Sequence, residues 1–323
     1  MTSRLFPQIE IVKPFYSTDF GEAWYGDAKS LLKLLPDNSV DLVITSPPYA
    51  LLHKKSYGNE DGETYVRWFR PFAKEIFRIL KNEGSFILNI GGFWNEGVPT
   101  KSLYQYKLLL DLCEPVTKSQ KRARFNLAQE FFWFNPAKMP NPVQWVNVER
   151  VRVKEAVEHI WWFSKTDRPK ANTKNILTPY SESMKKLIKR GTYNFGSRPS
   201  GWNVGKTWNI DNGGAIPPNF LPVELADQPT NAIIESNTSS NDEFRRKCRE
   251  AGESLHPACF PPYIPAFFIK LLTDENDLVV DPFSGSNTTG RIAEDLKRKW
   301  ISVESCEQYM RASKLRWFDN EDT

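Results

Sequence analysis

The chain has 323 residues, of which 40% are hydrophobic and 25% are charged, with a formal net charge of +4. These values are ordinary for a globular protein. No run of about 18 uncharged apolar residues occurs, and the N-terminus lacks an apolar signal core, so we expect neither a membrane span nor export. The four cysteines are scattered without a CxxC pair, which favours unpaired thiols in a reducing cytoplasm and no metal cluster.

The first part of the chain alternates predicted strands and helices. Apolar residues recur every three to four positions over residues 63–80, which predicts an amphipathic helix, and a second helix is predicted over 103–113. Short, strongly apolar segments predict buried strands over residues 40–45, 85–90, 131–134 and 159–163. This alternation favours an α/β domain with a mainly parallel sheet.

The character of the chain changes between about residues 165 and 255. Gly, Asn, Pro and Ser dominate, and only residues 183–190 and 242–251 have helical periodicity. Residues 183–210 hold six basic residues and no acidic one, with four aromatic residues among them. Aromatic faces beside cations suit bases and phosphates. We interpret the region as an irregular inserted lobe; for the basic stretch alone, a solvated loop with buried aromatic residues is the alternative.

The last part predicts a helix over 267–272 and a strand over 277–280 that runs into DPFSGSNTTG. A helix over 291–297 and a strand over 300–303 follow, and that strand ends at Glu304. This strand–turn–helix–strand order is typical of sites for nucleotide-like cofactors. The turn matches neither GxGxxG nor GxxxxGK[ST], and it lacks a basic residue for a phosphate.

The turn nevertheless has features of a ligand loop. Gly285 permits close backbone approach, and Asn287 tolerates left-handed angles. Thr288 and Thr289 stand at a predicted helix N-terminus, which favours a carboxylate, and Glu304 can accept hydrogen bonds from ribose hydroxyls. A ligand with a carboxylate, an amino group and a ribose but no phosphate fits S-adenosylmethionine. A structural glycine turn is the alternative.

The strand over residues 40–45 ends in the second motif, Ser46-Pro47-Pro48-Tyr49. The two prolines fix the backbone, so the Pro47 carbonyl and the Ser46 hydroxyl can act as rigid acceptors for an exocyclic amino group. Tyr49 offers a flat face for a base that has left the duplex. Acceptors for both N–H groups favour a pyramidal nitrogen that can attack a methyl sulfonium, and no strong base is required. A plain strand-ending turn is the alternative.

The two motifs together resemble the amino-methylating DNA methyltransferases in their circularly permuted β class, with SPPY early and DPFxGSxTT late. Trp24-Tyr25-Gly26-Asp27, the HPAxFP-like segment 256–261 and the base-pocket-like segment 134–140 extend the resemblance to about residues 20–165 and 255–310. It implies a Rossmann-like methyltransferase fold with a mainly parallel seven-stranded sheet. It also implies a catalytic domain of residues 1–165 and 256–323 and a target-recognition region of residues 166–255.

The resemblance also assigns residues to roles. Ser46, Pro47, Pro48 and Tyr49 are the expected catalytic residues. The expected cofactor residues are Asp27, Phe260, Pro261, Asp281, Phe283, Gly285, Ser286, Asn287, Thr288 and Glu304. The expected DNA contacts are Lys54, Lys55, Lys185, Lys186, Lys189, Arg190, Arg198 and Lys206. Asn287 replaces a glycine of the commoner loop, and Asn89 ends its strand where some relatives have an acidic residue.

We therefore expect a site-specific methyltransferase that acts on N4 of cytosine in double-stranded DNA with a flipped target base. Self-protection beside a restriction endonuclease that shares the site, but need not bind the enzyme, is the expected role. Ser46 rather than aspartate favours cytosine; adenine N6 stays open as the alternative, and a DNA-binding module with a decayed cofactor site is the alternative of another class. The cytosine-C5 route is disfavoured because no cysteine lies near SPPY.

Overall fold

The computed structural model describes residues 13–50, 60–62, 64–114, 124–136, 138–191, 199, 210–221, 243–256 and 260–318. Its helices are α1 (Ala28–Leu31), α2 (Tyr65–Ile79), α3 (Tyr104–Cys113), α4 (Glu182–Arg190), α5 (Glu243–Glu250), α6 (Tyr263–Leu272), α7 (Thr288–Asp295) and α8 (Glu307–Lys314). Its strands are β1 (Tyr16–Ser17), β2 (Gly21–Tyr25), β3 (Val40–Thr45), β4 (Leu80–Ile90), β5 (Asn126–Phe134), β6 (Val157–Ser164), β7 (Phe220–Leu221), β8 (Leu278–Asp281) and β9 (Lys299–Glu304).

These strands form one mixed sheet in the order β1-β2-β9-β8-β3-β4-β6-β5-β7. The central strands from β2 to β4 run parallel, whereas β6 is antiparallel to both of its neighbours. The α/β class is as expected, but the described part of the chain gives nine strands instead of seven. The two additional strands are the edge strands β1 and β7, each of two residues, which are too short for a sequence pattern.

Helices cover both faces of the sheet. Side chains of β3 alternate, so that Val43 joins one apolar core with residues of α2 and α3, and Leu42 and Ile44 join another with α6. Each core buries aromatic and aliphatic side chains, and this burial supplies most of the driving force for folding. The result is a three-layer arrangement in which the sheet is the fixed frame for its loops.

The order of the strands brings the two ends of the chain together. Strands β8 and β9, from the C-terminal part, lie between β2 and β3, from the N-terminal part. Val280 is paired with Val43 across the parallel β3–β8 ladder. Because parallel strands end at the same edge, the turn after β3 and the turn after β8 must meet there.

Several element boundaries differ from those predicted. Strand β4 begins at Leu80, directly after α2, because the polar residues that resemble a turn are exposed strand residues. Helix α6 begins at Tyr263, and α7 begins at Thr288 with Asn287 as its N-cap.

The region expected to recognise the target, residues 166–255, packs in part against the sheet domain. Ile176 lies in the same core as α6, and Leu221 of β7 pairs with Trp133 at the edge of the sheet. Phe244 and Cys248 pack against Ala312 and its neighbour Leu315. Several described parts of this region are therefore packed onto the sheet and its helices, whereas α4 buries no residue, and the role of the region in recognition stays a prediction.

Two expectations about the whole chain can be compared with the described ranges. None of the helices there has the length and apolar character needed to span a bilayer. Among the described cysteines, Cys113, Cys248 and Cys306 form no disulfide bond.

Candidate active site

A cavity of about 510 Å³ opens where β3, β8 and β9 end. Its walls include the last residues of β8 and β9, Asp281 and Glu304, and all four residues of the SPPY turn. Between the strand ends, Thr45 donates a hydrogen bond to Asp281 Oδ1 over 2.6 Å. One direct bond therefore ties the strand of the SPPY turn to the strand of the glycine turn.

Asp281 holds the start of the glycine turn. Its Oδ1 also accepts from the backbone N–H of Phe283 (3.1 Å), and its Oδ2 accepts from Thr289 (2.7 Å). Burial raises the pKa of this carboxyl group to about 6, although the hydrogen bonds from Thr45 and Thr289 oppose the rise. A buried carboxylate that lines the cavity favours a cationic ligand, because a positive charge offsets its desolvation.

Gly285 has a positive φ of 50°, a conformation that side chains rarely adopt. A Cβ at this position would lie 3.3 Å from the ring of His256, which also lines the cavity. The backbone N–H of Gly285 donates to Glu304 Oε2 over 2.9 Å. Both the backbone angle and the close contact therefore favour glycine here.

Glu304 receives two backbone bonds and keeps capacity for more. Cys306 N–H donates to its Oε1 (2.8 Å), while Gly285 occupies one position on Oε2. Burial raises the pKa of Glu304, and these backbone bonds oppose the rise. An ionised carboxylate has about four acceptor positions, so a ligand with two hydroxyl groups can still be bound.

The structure separates the expected cofactor residues into two sets. Those that line the cavity are Asp27, Phe260, Asp281, Phe283, Gly285, Ser286, Thr288 and Glu304. Asn287 and Pro261 do not line it. Asn287 is fully buried at φ 53°, where its side chain accepts from Gly290 N and donates to Tyr16 Oη. Asn287 therefore stabilises the turn whose adjacent residues, Ser286 and Thr288, line the cavity.

The SPPY turn is anchored from both sides. Tyr65 of α2 donates to the carbonyl oxygen of Pro48 over 2.9 Å. The Tyr49 ring lies so close to Gly91 that a Cβ there would come within 2.6 Å of it. Fixed proline angles, this hydrogen bond and this packing hold the turn in one conformation.

A polar cluster extends from this turn into the sheet. Tyr49 Oη lies 2.8 Å from Asn89 Oδ1 and 2.9 Å from Glu158 Oε2, and Ser46 Oγ lies 3.2 Å from Tyr49 Oη. Lys138 binds the other oxygen of Glu158 over 3.0 Å. Burial, followed by the charge of Glu158, raises the pKa of Tyr49 well above its usual value, so the hydroxyl keeps its proton at neutral pH.

Sequence reasoning did not select Glu158, Lys138, Trp133 or His256 as individual site residues, although three of them line the cavity. Lys138 and His256 lie within segments that the family resemblance identified. Glu158 carried a weak signal, an acidic residue at the start of an apolar strand, and it is buried. Its importance becomes visible only through contacts made across the sheet.

The expected DNA contacts are partly described. Lys185, Lys186, Lys189 and Arg190 are exposed on α4, a helix without a buried residue. Lys185 also pairs with Glu182 on the same helix. Lys54, Lys55, Arg198 and Lys206 lie outside the described residues.

A loop beside the cavity also has the character of a contact surface. Residues 135–156 join the ends of β5 and β6, the strands that contribute Trp133 and Glu158 to the cavity. Val148, Val153 and Met139 are strongly exposed on this loop. Exposed basic residues accompany them at positions 150, 152 and 154.

Comparison with known proteins agrees with this geometry. Residues 40–315 match the model of the DNA methylase family N6_N4_Mtase. Type II methyltransferase M.PvuII of Proteus hauseri is 46% identical over 310 residues, covering 95% of this chain and 87% of that protein. Type II methyltransferase M.BglII of Bacillus subtilis is 25% identical over 305 residues, covering 93% and 69%.

Solved structures lead to the same group. The structure of the PvuII DNA methyltransferase (cytosine-N4-specific) superposes with a TM-score of 0.72 at 39% identity in the structural alignment, over 96% of this chain and 90% of that one. A putative DNA modification methylase of Thermus thermophilus complexed with S-adenosyl-L-methionine superposes with a TM-score of 0.52 at 18% identity, over 90% and 92%. The second likeness concerns the fold alone.

Proposed function

The chain belongs to the N6_N4_Mtase family of DNA methylases, and we propose that it transfers a methyl group from S-adenosylmethionine to N4 of a cytosine at a specific site in double-stranded DNA. One observation carries the proposal: the SPPY turn and the glycine turn line the same cavity, and Thr45 donates directly to Asp281 between them. An acceptor site for an amino group and a site for a cationic, hydroxylated cofactor are therefore adjacent.

The donor set of the cavity fits S-adenosylmethionine, which supplies an electrophilic methyl group on a sulfonium. Asp281 is a buried carboxylate and Glu304 a half-buried one at the cavity wall, and Gly285 allows the backbone to approach a ligand. In our proposal Glu304 binds the ribose hydroxyls and Asp281 favours the cationic part. Phe260 and Phe283 supply apolar surface at the same wall.

The SPPY turn orients the target amino group in this proposal. Ser46 Oγ and the Pro47 carbonyl accept its two N–H groups, which directs the nitrogen lone pair toward the methyl carbon. Tyr49 stacks on the flipped base. A decayed binding module is disfavoured because both motifs are present and most residues of each line one cavity.

Two features support cytosine as the target. The 46%-identical relative has a structure described as that of a cytosine-N4-specific enzyme, and the turn begins with serine. The relative is also a type II methyltransferase, which supports a role in protecting bacterial cytoplasmic DNA at a site shared with a restriction endonuclease. A direct complex with that endonuclease is not required for this role.

The duplex is proposed to contact α4, the loop 135–156 and the wider region 166–255. Exposed lysines on α4 supply phosphate contacts, which give affinity without sequence preference. The exposed apolar residues of the loop lie beside the cavity that would receive the base. Filling the gap left by an extruded base is a known use of such side chains.

The proposal can be tested by nucleoside mass spectrometry. Plasmid DNA is incubated with the protein and methyl-labelled S-adenosylmethionine, digested to nucleosides and analysed. We expect label in N4-methylcytosine only. Label confined to N6-methyladenine would overturn the base assignment, and unlabelled DNA would overturn the enzymatic function.

A further inference from the structure

The polar cluster behind the SPPY turn has fewer hydroxyl protons than close oxygen–oxygen contacts. Four oxygen atoms, from Ser46, Tyr49, Asn89 and Glu158, make four contacts of 2.8 to 3.3 Å. Asn89 Nδ2 donates to the carbonyl oxygen of His159 over 3.1 Å, so its Oδ1 faces the two hydroxyl groups. An amide oxygen and an ionised carboxylate only accept hydrogen bonds.

The hydroxyl protons of Ser46 and Tyr49 are then the only two protons for these four contacts. When both protons lie within these contacts, lone pairs of Ser46 stay available toward the cavity. One of the short contacts of Tyr49, to Asn89 or to Glu158, lacks a proton. A third proton, placed on Glu158, would let both short contacts of Tyr49 carry a proton.

We propose that Glu158 takes up, through Tyr49 and Ser46, the proton that the target amino group releases, an inference that rests on the proposed function. The amino nitrogen attacks the methyl carbon; the N–C bond forms as the C–S bond breaks with its electron pair left on sulfur. The N–H proton passes to Ser46 Oγ, the Ser46 proton to Tyr49 Oη, and the Tyr49 proton to Glu158 Oε2. Glu158 later releases it to solvent.

Other groups of the cluster are poorer acceptors. Asn89 is an amide and cannot hold the proton. Burial keeps the Tyr49 hydroxyl neutral, and before the transfer the charge of Glu158 acts in the same direction, so the phenol passes a proton on and does not store charge. Lys138 binds Glu158 Oε1 and leaves Oε2 toward Tyr49. Glu158 acts through Tyr49, and it is therefore a positioning residue in this scheme.

The first test is a double-mutant cycle on single-turnover methyl transfer to DNA. Glu158→Gln keeps the size and polarity of the side chain but cannot take a proton. We expect a loss of about 10- to 100-fold in the rate constant, with the KM values for DNA and cofactor within twofold of wild type. In a Tyr49→Phe background the same change should not lower the rate constant further, because phenylalanine has no hydroxyl group to pass the proton to Glu158. Equal losses in both backgrounds would overturn the inference.

The second test is rescue. Asn89 Oδ1 lies as close to Tyr49 as Glu158 does, so Asn89→Asp should restore Glu158→Gln to within about fivefold of wild type by supplying another carboxylate. The matched control is Glu130→Gln. Glu130 binds His159 and Trp161 on the neighbouring strand and does not line the cavity, so its loss should leave the rate unchanged. Failure of the rescue would contradict the inference.

A third readout does not depend on turnover rates. Infrared difference spectra of one turnover should show a protonated carboxyl band that Glu158→Gln lacks; a band that persists in the variant would overturn the inference. If Glu158→Gln is unstable, the double variant Lys138→Met/Glu158→Gln takes its place in the cycle, because it also removes the lysine cation that Glu158 pairs with.

The assays count the total methyl groups transferred to DNA, whichever base receives them. An inactive wild type therefore contradicts the proposed function, whereas an active wild type with an unaffected Glu158→Gln variant contradicts only this inference.

Discussion

At the scale of single residues, the site depends on backbone angles and buried carboxylates more than on exposed charges. Gly285 and Asn287 both adopt left-handed angles within three residues of chain. Asp281 and Glu304 are placed at the ends of adjacent parallel strands. Each of these features can be changed separately, because each acts through a different physical effect.

Ser46 is expected to act on the reaction and not on cofactor binding. Ser46→Ala removes one acceptor for the target amino group, so turnover should fall about 100-fold or more while cofactor affinity stays within twofold. Calorimetry and single-turnover assays measure the two quantities. Ser39→Ala is the control, since the Ser39 hydroxyl donates to Pro36 O in a turn that does not line the cavity. Wild-type turnover in Ser46→Ala would contradict the assigned role.

Gly285→Ala tests the shape of the cofactor turn. Gly97 also has a positive φ, 69°, but a Cβ there would meet nothing within 4 Å. Both Gly→Ala changes should lower the free energy of unfolding by about 1 to 2 kcal/mol, because alanine resists left-handed angles. Only Gly285→Ala should also weaken cofactor binding, by roughly tenfold. Thermal unfolding measures the stabilities and calorimetry measures the cofactor affinities. Equal cofactor affinities in the two variants would contradict the argument.

Asp281 predicts a pH dependence of cofactor binding. Burial raises its pKa to about 6, so the ligand-free site is mostly protonated at pH 5 and mostly ionised at pH 7. A cationic ligand prefers the ionised form, and its affinity should therefore rise as pH increases through about 6. The raised pKa of Glu304 acts in the same direction.

The change from pH 5 to pH 7 should be about tenfold in the dissociation constant measured by calorimetry. Asp281→Asn should bind the cofactor more weakly at pH 7 and should show a smaller change. An affinity that falls as pH rises would contradict this account of the site.

At the scale of elements, apolar patterns could be predicted and cross-sheet contacts could not. Strand β3 and the turn that follows it were predicted from five apolar or β-branched residues and two prolines, because burial and fixed φ angles leave local signals. The short edge strands β1 and β7 left none, since two residues show no alternation. Asn287 was expected to bind cofactor, but its side chain caps α7 instead.

Glu158 illustrates the limit most clearly. Its partners Lys138 and Tyr49 are far from it in sequence, and Asn89, which contacts the same Tyr49 hydroxyl, comes from a third element. No periodicity relates these positions, so Tyr49, Asn89 and Glu158 meet only because β4 pairs with both β3 and β6. Chemistry that depends on such a cluster requires coordinates.

Helix α4 makes a prediction of its own. Lys186 and Lys189 are exposed on a helix that buries no residue. Replacing both with alanine should weaken DNA binding and lower the slope of log affinity against log salt by about 1.8, as expected for the loss of two phosphate contacts. Fluorescence anisotropy over a salt series measures this slope.

Cofactor affinity should not change in that variant. The control pair is Lys74→Ala with Lys297→Ala, two exposed lysines on other elements. An unchanged slope in the α4 variant, or an equal loss in the control, would show that α4 does not lie on the duplex.

At the scale of the whole molecule, the sheet brings together two motifs that lie far apart in the chain. The SPPY turn comes early and the glycine turn late, separated by more than two hundred residues, yet β3 and β8 are neighbours. Parallel pairing then places both turns at one edge, and Thr45 and Asp281 join them. The site is thus a consequence of topology, and the chemistry follows from the side chains that the two turns present.

The claim that this cavity methylates N4 of cytosine is tested most directly by methylome sequencing of a methyltransferase-free bacterial host that expresses the chain. This measurement reports the base, its position and the surrounding sequence together. N4-methylcytosine at one fixed position of one short sequence, absent from the Ser46→Ala variant, is the predicted result. N6-methyladenine alone, or modification that persists in the variant, would contradict the assignment of this edge of the sheet as a cytosine-N4 site.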